Sequence, residues 1–184
     1  MITEKIEDAI VVYNNIVDPI FCERCVEYID HVCNKSLATK AGDTDYREVS
    51  GHSLTKKTIS EQIYFKKIYD EIFHFYSTYR IKFPRLEAAQ INQIDLLKYN
   101  TGGKYLYHTD EFHGTPRSLS VIINLNDDYE GGDLVFAYQY LNKEMKRVPL
   151  KKGSICFFPS NFLYPHMIEP ITKGTRYSIV AWLT

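Results

Sequence analysis

Two histidines and one aspartate are the strongest candidates for metal ligands. His108 and Asp110 lie two residues apart in the segment "YLYHTDEF". Residues at this spacing in an extended segment point to the same side, so one imidazole and one carboxylate could be directed at a common point. An H-x-D pair alone is weak evidence and supplies only two ligands. A third ligand must come from elsewhere in the fold.

His166 is the best candidate for this third ligand, because it lies between two predicted strands. Of the other histidines, His31 and His74 fall in predicted helices and His52 in a polar segment. Two histidines with one aspartate form a facial triad, which leaves positions open on iron(II). Those positions suit a chelating 2-oxo acid and dioxygen.

Arg176 and Ser178 lie on one face of the last predicted strand. A guanidinium presents a planar fork that binds a carboxylate through two hydrogen bonds, and a serine hydroxyl adds one more. Taken alone, Arg176 would more often be a surface cation. Combined with the three candidate ligands, it predicts a clamp for the distal carboxylate of the 2-oxo acid.

The N-terminal half predicts two helices. Asp18 as the N-cap and Pro19 at the first helical position start the first helix, and Ser60 is the predicted N-cap of the second. The intervening residues 36–58 are polar and show no periodicity, which predicts a functional or mobile loop. Arg47 is a substrate-side candidate in this loop.

The residues after Pro84 predict many short strands, such as "SLSVIINLN", separated by turn signals. Two helices followed by many strands favour an α+β fold whose body is a barrel or jelly roll. The chain shows neither a linker nor a repeat. We therefore expect one domain over residues 1–184, with helical support at about 18–82 and the β core at about 90–184.

Composition limits the partners. The chain is 45% apolar and 24% charged, as in an ordinary globular protein. Its net charge of −1 and mixed charges give no electrostatic reason to expect nucleic acid. No apolar run approaches the roughly 20 residues of a membrane span, and the N-terminus is unlike a signal peptide. We expect no membrane association and a cytoplasmic location.

The C-x-x-C of Cys22 and Cys25 falls in the first predicted helix. With Cys33, these residues lie on or beside its apolar stripe, and Cys156 lies in a predicted strand. Because no second C-x-x-C completes a zinc site, all four cysteines are interpreted as small core residues.

Four segments occur in an order that resembles the iron(II)- and 2-oxoglutarate-dependent dioxygenases, and especially their prolyl 4-hydroxylase-like branch: "YNTGGKYLYHTD", "EGGDLVF", "GSICFFP" and "GTRYSIVAW". The resemblance covers roughly residues 90–184. It implies a double-stranded β-helix (jelly-roll) core supported by the N-terminal helices. It also implies Fe(II), 2-oxoglutarate and O2, with ascorbate as reductant.

Matched residue by residue, the resemblance assigns iron to His108, Asp110 and His166, and 2-oxoglutarate to Arg176, Ser178 and Tyr99. The other interpretation of Tyr99 is a half-buried strand tyrosine. Asn124 stands where some relatives have a tyrosine, which leaves the cosubstrate contacts at that point open.

The substrate-side candidates are Arg117, His113, Trp182, Arg47 and Tyr138. Arg117 matches an arginine that helps to place the peptide in prolyl hydroxylases. Trp182 matches an aromatic position near the site, although a core tryptophan would explain it equally well. His113 is expected to face substrate or solvent rather than metal. Tyr138 belongs with Phe112 and Tyr140 to an aromatic cluster that could hold an extended chain or a small molecule.

Three functions remain open. The leading hypothesis is a hydroxylase of a prolyl residue in a peptide or protein, similar to procollagen-proline 4-dioxygenases, which converts 2-oxoglutarate to succinate and CO2. The second is an oxygenase of a free amino acid, another small molecule or a nucleobase. The third is a non-catalytic, cupin-like metal-binding module. Arg176 argues against the third, because such a module needs no carboxylate clamp.

Overall fold

The computed structural model describes residues 5–33, 45–88, 90–138 and 143–184. Helix α1 is Pro19–Val32 and helix α2 is Ile59–Lys82, and a short 3-10 helix, Ile6–Ala9, precedes them. The strands of the described residues are, in chain order, β1 Val11–Tyr13, β2 Arg47–Glu48, β3 Ser50–Ser53, β4 Ile91–Tyr99, β5 Lys104–His108, β6 Leu119–Asn124, β7 Glu130–Gly131, β8 Leu134–Tyr138, β9 Lys143–Val148, β10 Ser154–Pro159, β11 His166–Ile168, β12 Ile171–Lys173 and β13 Arg176–Leu183.

Helix α1 begins where its sequence predicts. The Asp18 side chain accepts a hydrogen bond from the Phe21 backbone N–H at 2.9 Å, and a proline fills the first helical position. The buried face of the helix consists of Cys22, Cys25 and Ile29. Cys22, expected on or beside the apolar stripe, is fully buried. All four cysteines of the chain are free and buried, as predicted.

Helix α2 begins two residues earlier than its sequence predicts. The N-cap is Thr58 rather than Ser60, because Thr58 has an extended backbone and its hydroxyl accepts a hydrogen bond from the Glu61 N–H at 3.1 Å. The buried face of the helix includes Ile68, Ile72 and Tyr79.

The polar segment 36–58 was wrongly predicted to be a loop throughout. Its residues 36–44 lie outside the described part, but β2 and β3 occupy most of residues 47–53. β2 pairs with β5, and β3 pairs with β4. Both are sheet-edge strands with little burial, so an apolar alternation that would have revealed them is missing.

Two antiparallel sheets form the body of the molecule. The larger has the order β1-β10-β6-β13-β4-β3, the smaller has the order β2-β5-β11-β8-β9, and β12 and β7 form a separate pair. One apolar cluster joins the two helices to one face of the larger sheet, through Ile29, Ile72 and Ile179. A second cluster fills the space between the two sheets and includes Phe136 and Phe158. The α+β prediction with a jelly-roll body is confirmed.

Strand β13 runs through the middle of the larger sheet, between β6 and β4. Its residues alternate between the two apolar clusters. Ile179 faces the helices, whereas Arg176, Ser178 and Trp182 line a pocket between the sheets. None of the helices in the described ranges is long and apolar enough to span a membrane.

Candidate metal centre and its pocket

Three side chains converge where β5 ends and β11 begins. His108 ends β5 and His166 begins β11, and the two are direct cross-strand partners. Asp110 follows β5 by two residues. The Nε2 atoms of His108 and His166 lie 3.5 and 3.6 Å from the two carboxylate oxygens of Asp110. One potential ligand atom from each of the three residues lies within 4.8 Å of the others, and no other such group occurs among the described residues.

Both histidines are oriented with Nε2 towards the shared point. The Nδ1 atom of His108 lies 2.9 Å from the Leu106 carbonyl oxygen, and that of His166 lies 3.1 Å from the Tyr164 carbonyl oxygen. A carbonyl oxygen can only accept, so Nδ1 carries the proton and Nε2 offers its lone pair. Burial, aided by repulsion from His108, lowers the pKa of His166 to about 4. His166 is therefore neutral at physiological pH, as metal binding requires.

Asp110 remains ionised although it is buried. Burial alone would raise the pKa of this carboxyl group; positive charge on His166 and His108 lowers it, and so does the hydrogen bond from Ser120, which persists when the imidazoles are neutral. The Ser120 hydroxyl donates to Asp110 Oδ2 at 2.6 Å. Two imidazoles and one carboxylate form a donor set that suits iron(II).

Aromatic rings fix the two imidazoles. The ring of Tyr105 stacks on His108 with centroids 3.5 Å apart, and Phe136 and Phe158 flank His166. Sequence reasoning missed Tyr105. It lies three residues from His108, and residues at that spacing in a regular strand point to opposite faces. The pairing of β5 with β11 shifts register at this point, with one extra residue in β5. This bulge brings Tyr105 and His108 to the same side.

The three ligands form one end of a pocket between the two sheets. The pocket has an empty volume of about 420 Å³, part of it open to solvent. Six other residues with polar groups or aromatic rings line it: Arg47, Tyr99, Tyr105, Arg176, Ser178 and Trp182. The structure thus brings together the predicted ligands, the predicted cosubstrate residues and two of the substrate-side candidates.

Arg176 lines this pocket with only 1% of its surface exposed. It is the cross-strand partner of Tyr99, and its Nη1 donates to Ser178 Oγ at 3.1 Å. Its Nε and Nη2 have no hydrogen-bond partner. Unpaired donors on a buried cation are costly. A carboxylate bound in the pocket would satisfy both of them through the planar fork of the guanidinium.

Tyr99 is fully buried beside Arg176, whose guanidinium carbon lies 5.4 Å from the centre of its ring. Burial raises the pKa of Tyr99, so its phenol keeps its proton and can donate a hydrogen bond. With 2% of its surface exposed, Tyr99 is more buried than the alternative interpretation, a half-buried strand tyrosine, requires.

Among the described side chains, four buried nitrogen atoms lack a hydrogen-bond partner: Nε of Arg47, Nε and Nη2 of Arg176, and Nε1 of Trp182. All four belong to residues that line this one pocket. All are donors. The pocket is therefore built for ligands that bring several hydrogen-bond acceptors.

Arg117 lies over the pocket tryptophan. Its guanidinium carbon is 3.7 Å from the centre of the Trp182 ring, and its two terminal nitrogens donate to the Asp110 carbonyl and to Gln93. On the opposite side of the pocket, the Arg47 guanidinium lies 4.4 Å from the centre of the Tyr105 ring.

Three substrate-side candidates do not line the pocket, and Arg117, which stacks on Trp182, is one of them. His113 is exposed on the loop after β5. Tyr138 donates its hydroxyl hydrogen to Glu7 at 2.9 Å. Tyr140, from the predicted aromatic cluster, lies outside the described residues. His52, also in the polar segment, is bound to Glu61.

Comparison with protein-family models identifies the family to which these residues correspond. Residues 94–184 match the family model of the 2OG-Fe(II) oxygenase superfamily. The chain belongs to this superfamily. A PKHD-type hydroxylase of Idiomarina loihiensis is 29% identical over 102 residues, which are 53% of this chain and 44% of that protein. The chain spans less than half the length of the curated relatives it matches.

Solved structures of similar fold support the architecture of this chain. A prolyl hydroxylase from Trichoplax adhaerens, solved with a hypoxia inducible factor peptide fragment, aligns with a TM-score of 0.77 at 18% identity, over 95% of this chain and 83% of that one. A Pseudomonas putida prolyl-4-hydroxylase aligns with a TM-score of 0.73 at 15% identity, over 95% of this chain and 91% of that one. These likenesses confirm the predicted jelly-roll fold.

The residues present fit both groups that the superfamily name specifies. His108, Asp110 and His166 provide the donor set for iron(II). Arg176, with its two unpaired donors, fits the distal carboxylate of 2-oxoglutarate.

Proposed function

We propose that this chain is an Fe(II)- and 2-oxoglutarate-dependent dioxygenase that hydroxylates its substrate. Bound iron, 2-oxoglutarate and O2 would supply the oxidising chemistry, with release of succinate and CO2. The observation that carries the proposal is the fully buried Arg176, whose Nε and Nη2 are unpaired in the same pocket as the three candidate ligands.

The side chains of this pocket have distinct tasks. His108, Asp110 and His166 hold the iron, and Arg176 with Ser178 holds the distal carboxylate, as the resemblance implies. Apolar side chains around them restrict the access of water and thereby strengthen these polar contacts. A cupin-like binding module would leave the Arg176 donors unpaired and is therefore disfavoured.

We infer that the substrate is a prolyl residue in a peptide or protein. The support is a continuous path from the pocket to the surface: Trp182 lines the pocket, Arg117 stacks on it, and the exposed ring of Phe112 lies 5.7 Å from the Arg117 guanidinium carbon. Exposed Phe162 lies on the adjacent loop, which is tied to the Phe112 loop by the hydrogen bond from Glu111 N–H to the Ser160 carbonyl. This apolar rim offers a surface for an extended chain. The Trichoplax neighbour was solved in complex with a peptide fragment, which supports a peptide substrate.

We also infer a reducing compartment, such as the cytoplasm. All four cysteines are free and buried, and burial raises the pKa of each thiol, for example to about 12 for Cys25. Paired disulfides are typical of secreted proteins, whereas reduced cysteines of this kind are typical of cytosolic ones.

The test is succinate formation, measured by mass spectrometry with iron(II), ascorbate and 2-oxoglutarate, with and without a proline-rich peptide. We expect succinate to rise with peptide and the peptide to gain about 16 Da, the mass of one oxygen atom. His166→Ala should abolish both signals. His74→Ala, which removes an exposed helix histidine, is the matched control and should keep them.

Two other outcomes are informative. Succinate that ignores the peptide would retain the oxygenase but reject the prolyl substrate, in favour of a free amino acid or another small molecule. No succinate from a folded, iron-loaded protein would reject the oxygenase itself.

A further inference from the structure

Two buried serine hydroxyls lie behind the candidate ligand Asp110. Ser120 on β6 is 0% exposed, and Ser160, which follows β10, is 1% exposed. Ser120 Oγ lies 2.6 Å from Asp110 Oδ2 and 2.7 Å from Ser160 Oγ. Neither serine lines the pocket, so neither is explained by contact with substrate or cosubstrate.

The chemistry of these groups gives the hydrogen bonds one direction. An ionised carboxylate can only accept, and a hydroxyl has one proton to donate. Ser120 therefore donates to Asp110, and Ser160 must donate to Ser120. A hydrogen bond to a charged acceptor is about twice as strong as a neutral one, and a second hydroxyl behind the first polarises it further.

Ser160 also fixes the backbone beside Asp110. Its carbonyl accepts a hydrogen bond from the Glu111 N–H at 3.0 Å, and its own N–H donates to the Ser118 carbonyl at 3.3 Å. The pairing of β6 with β10, which places Phe158 opposite Ser120, sets the separation of the two hydroxyls. Asp110 is thus held at its carboxylate and at the next peptide group by the same serine pair.

We propose that Ser120 and Ser160 are positioning residues that make Asp110 a one-oxygen metal ligand. Ser120 occupies Oδ2 with a hydrogen bond and leaves Oδ1 as the ligand atom. A carboxylate that bound through both oxygens would take one more position on the metal and leave fewer for cosubstrate and dioxygen. The inference rests on the proposed function, because it presumes that His108, Asp110 and His166 bind a metal ion.

The test measures Mn(II) affinity by electron paramagnetic resonance, which needs no turnover. Ser120→Ala removes the donor, Ser160→Ala removes its support, and Ser120→Thr keeps a hydroxyl. The matched control is Ser154→Ala, on β10 of the same strand pair. Ser154 is also fully buried, and its hydroxyl bonds to Asn14 at 3.0 Å. Circular dichroism establishes that each variant is folded.

We expect Ser120→Ala to weaken Mn(II) binding by about 10–100-fold, the usual effect of losing an outer hydrogen bond to a metal ligand. Ser160→Ala should weaken it less and in the same direction, and Ser120→Thr should restore most of the affinity. Ser154→Ala should bind as the wild type does. The visible absorption band of the anaerobic Fe(II)–2-oxoglutarate complex should change in Ser120→Ala and persist in Ser154→Ala.

The inference is overturned if Ser120→Ala binds Mn(II) as tightly as the wild type. It is also overturned if Ser154→Ala loses as much affinity as Ser120→Ala, because the effect would then be one of general packing. A wild-type protein that binds no Mn(II) would overturn the proposed function itself, and with it this inference.

Discussion

The donor groups of the pocket are more informative than its shape. Arg176 is buried among strands yet keeps two nitrogen donors without a partner. A lysine at this position would offer one compact charge, whereas the guanidinium offers a rigid, planar pair of donors. The geometry is therefore suited to a carboxylate that is held in one orientation.

Arg176→Lys should raise the KM for 2-oxoglutarate and leave Mn(II) affinity unchanged, because the charge remains while the fork is lost. A hydrogen bond to a charged group contributes about 1.5–3 kcal/mol, so the expected rise is about 10–150-fold. Succinate formation at increasing 2-oxoglutarate concentration measures it. Arg147→Lys, an exchange at a surface arginine paired with Glu169, is the control. An unchanged KM in Arg176→Lys would remove the carboxylate clamp from the proposal.

Single residues could be predicted where their chemistry or spacing was sufficient. His108 and Asp110 were found from a spacing of two, and Arg176 from the alternation of the last strand. Tyr105 was not, because a bulge in β5 places it beside His108 and no sequence pattern marks that bulge. Tyr138 was expected near substrate from its aromatic ring alone, but its partner Glu7 lies 131 residues away in sequence.

At the scale of elements, Glu61 joins the start of α2 to the neighbouring strand β3. Its carboxylate accepts hydrogen bonds from His52 in β3, from the Thr55 hydroxyl and from the Lys57 backbone N–H, at 2.8–2.9 Å. Burial alone would raise the pKa of Glu61, but these hydrogen bonds lower it from 4.5 to about 2. The carboxylate therefore favours the folded state only while it is ionised.

Glu61→Gln should lower the stability at pH 7 by about 1–3 kcal/mol, because an amide cannot accept from all of these donors. The pKa of Glu61 is lower in the folded state than in the unfolded chain, so its contribution is full above pH 4.5 and is lost as the pH falls towards 2. The difference in the free energy of unfolding between wild type and Glu61→Gln, measured with urea, should therefore become smaller below pH 4.5. Glu71→Gln, further along the same helix, should show no such narrowing. A difference in unfolding free energy that did not change with pH would contradict the assigned role of Glu61.

Elements could be predicted where local chemistry decides them. The cap of α1 follows from Asp18 and Pro19 alone. The start of α2 was misplaced by two residues, because Thr58 and Ser60 can both act as N-caps. The backbone conformation of the chain before the helix selects Thr58, which is extended. Strands β2 and β3 could not be predicted, since each exists through pairing with a distant strand, β5 or β4.

For the whole molecule, the larger sheet connects the helices to the pocket. One of its faces packs against Ile29 of α1 and Ile72 of α2, and the other carries Arg176, Ser178 and Trp182. Because β13 contributes to both faces, loss of the helices would expose the strand that holds the pocket. We therefore propose that helices and sheets form a single cooperative domain.

Urea unfolding should then give coincident transitions for two independent signals. Far-UV circular dichroism at 222 nm, where helix dominates, reports on α1 and α2, and fluorescence of Trp182, the only tryptophan, reports on the pocket. Ile72→Val, which trims a fully buried helix side chain, should move both transitions by the same amount, about 0.5–1.5 kcal/mol. If the helical signal were lost at a lower urea concentration than the Trp182 signal, the helices would be a separate unit. Coincidence in both proteins is the result expected of a two-state domain.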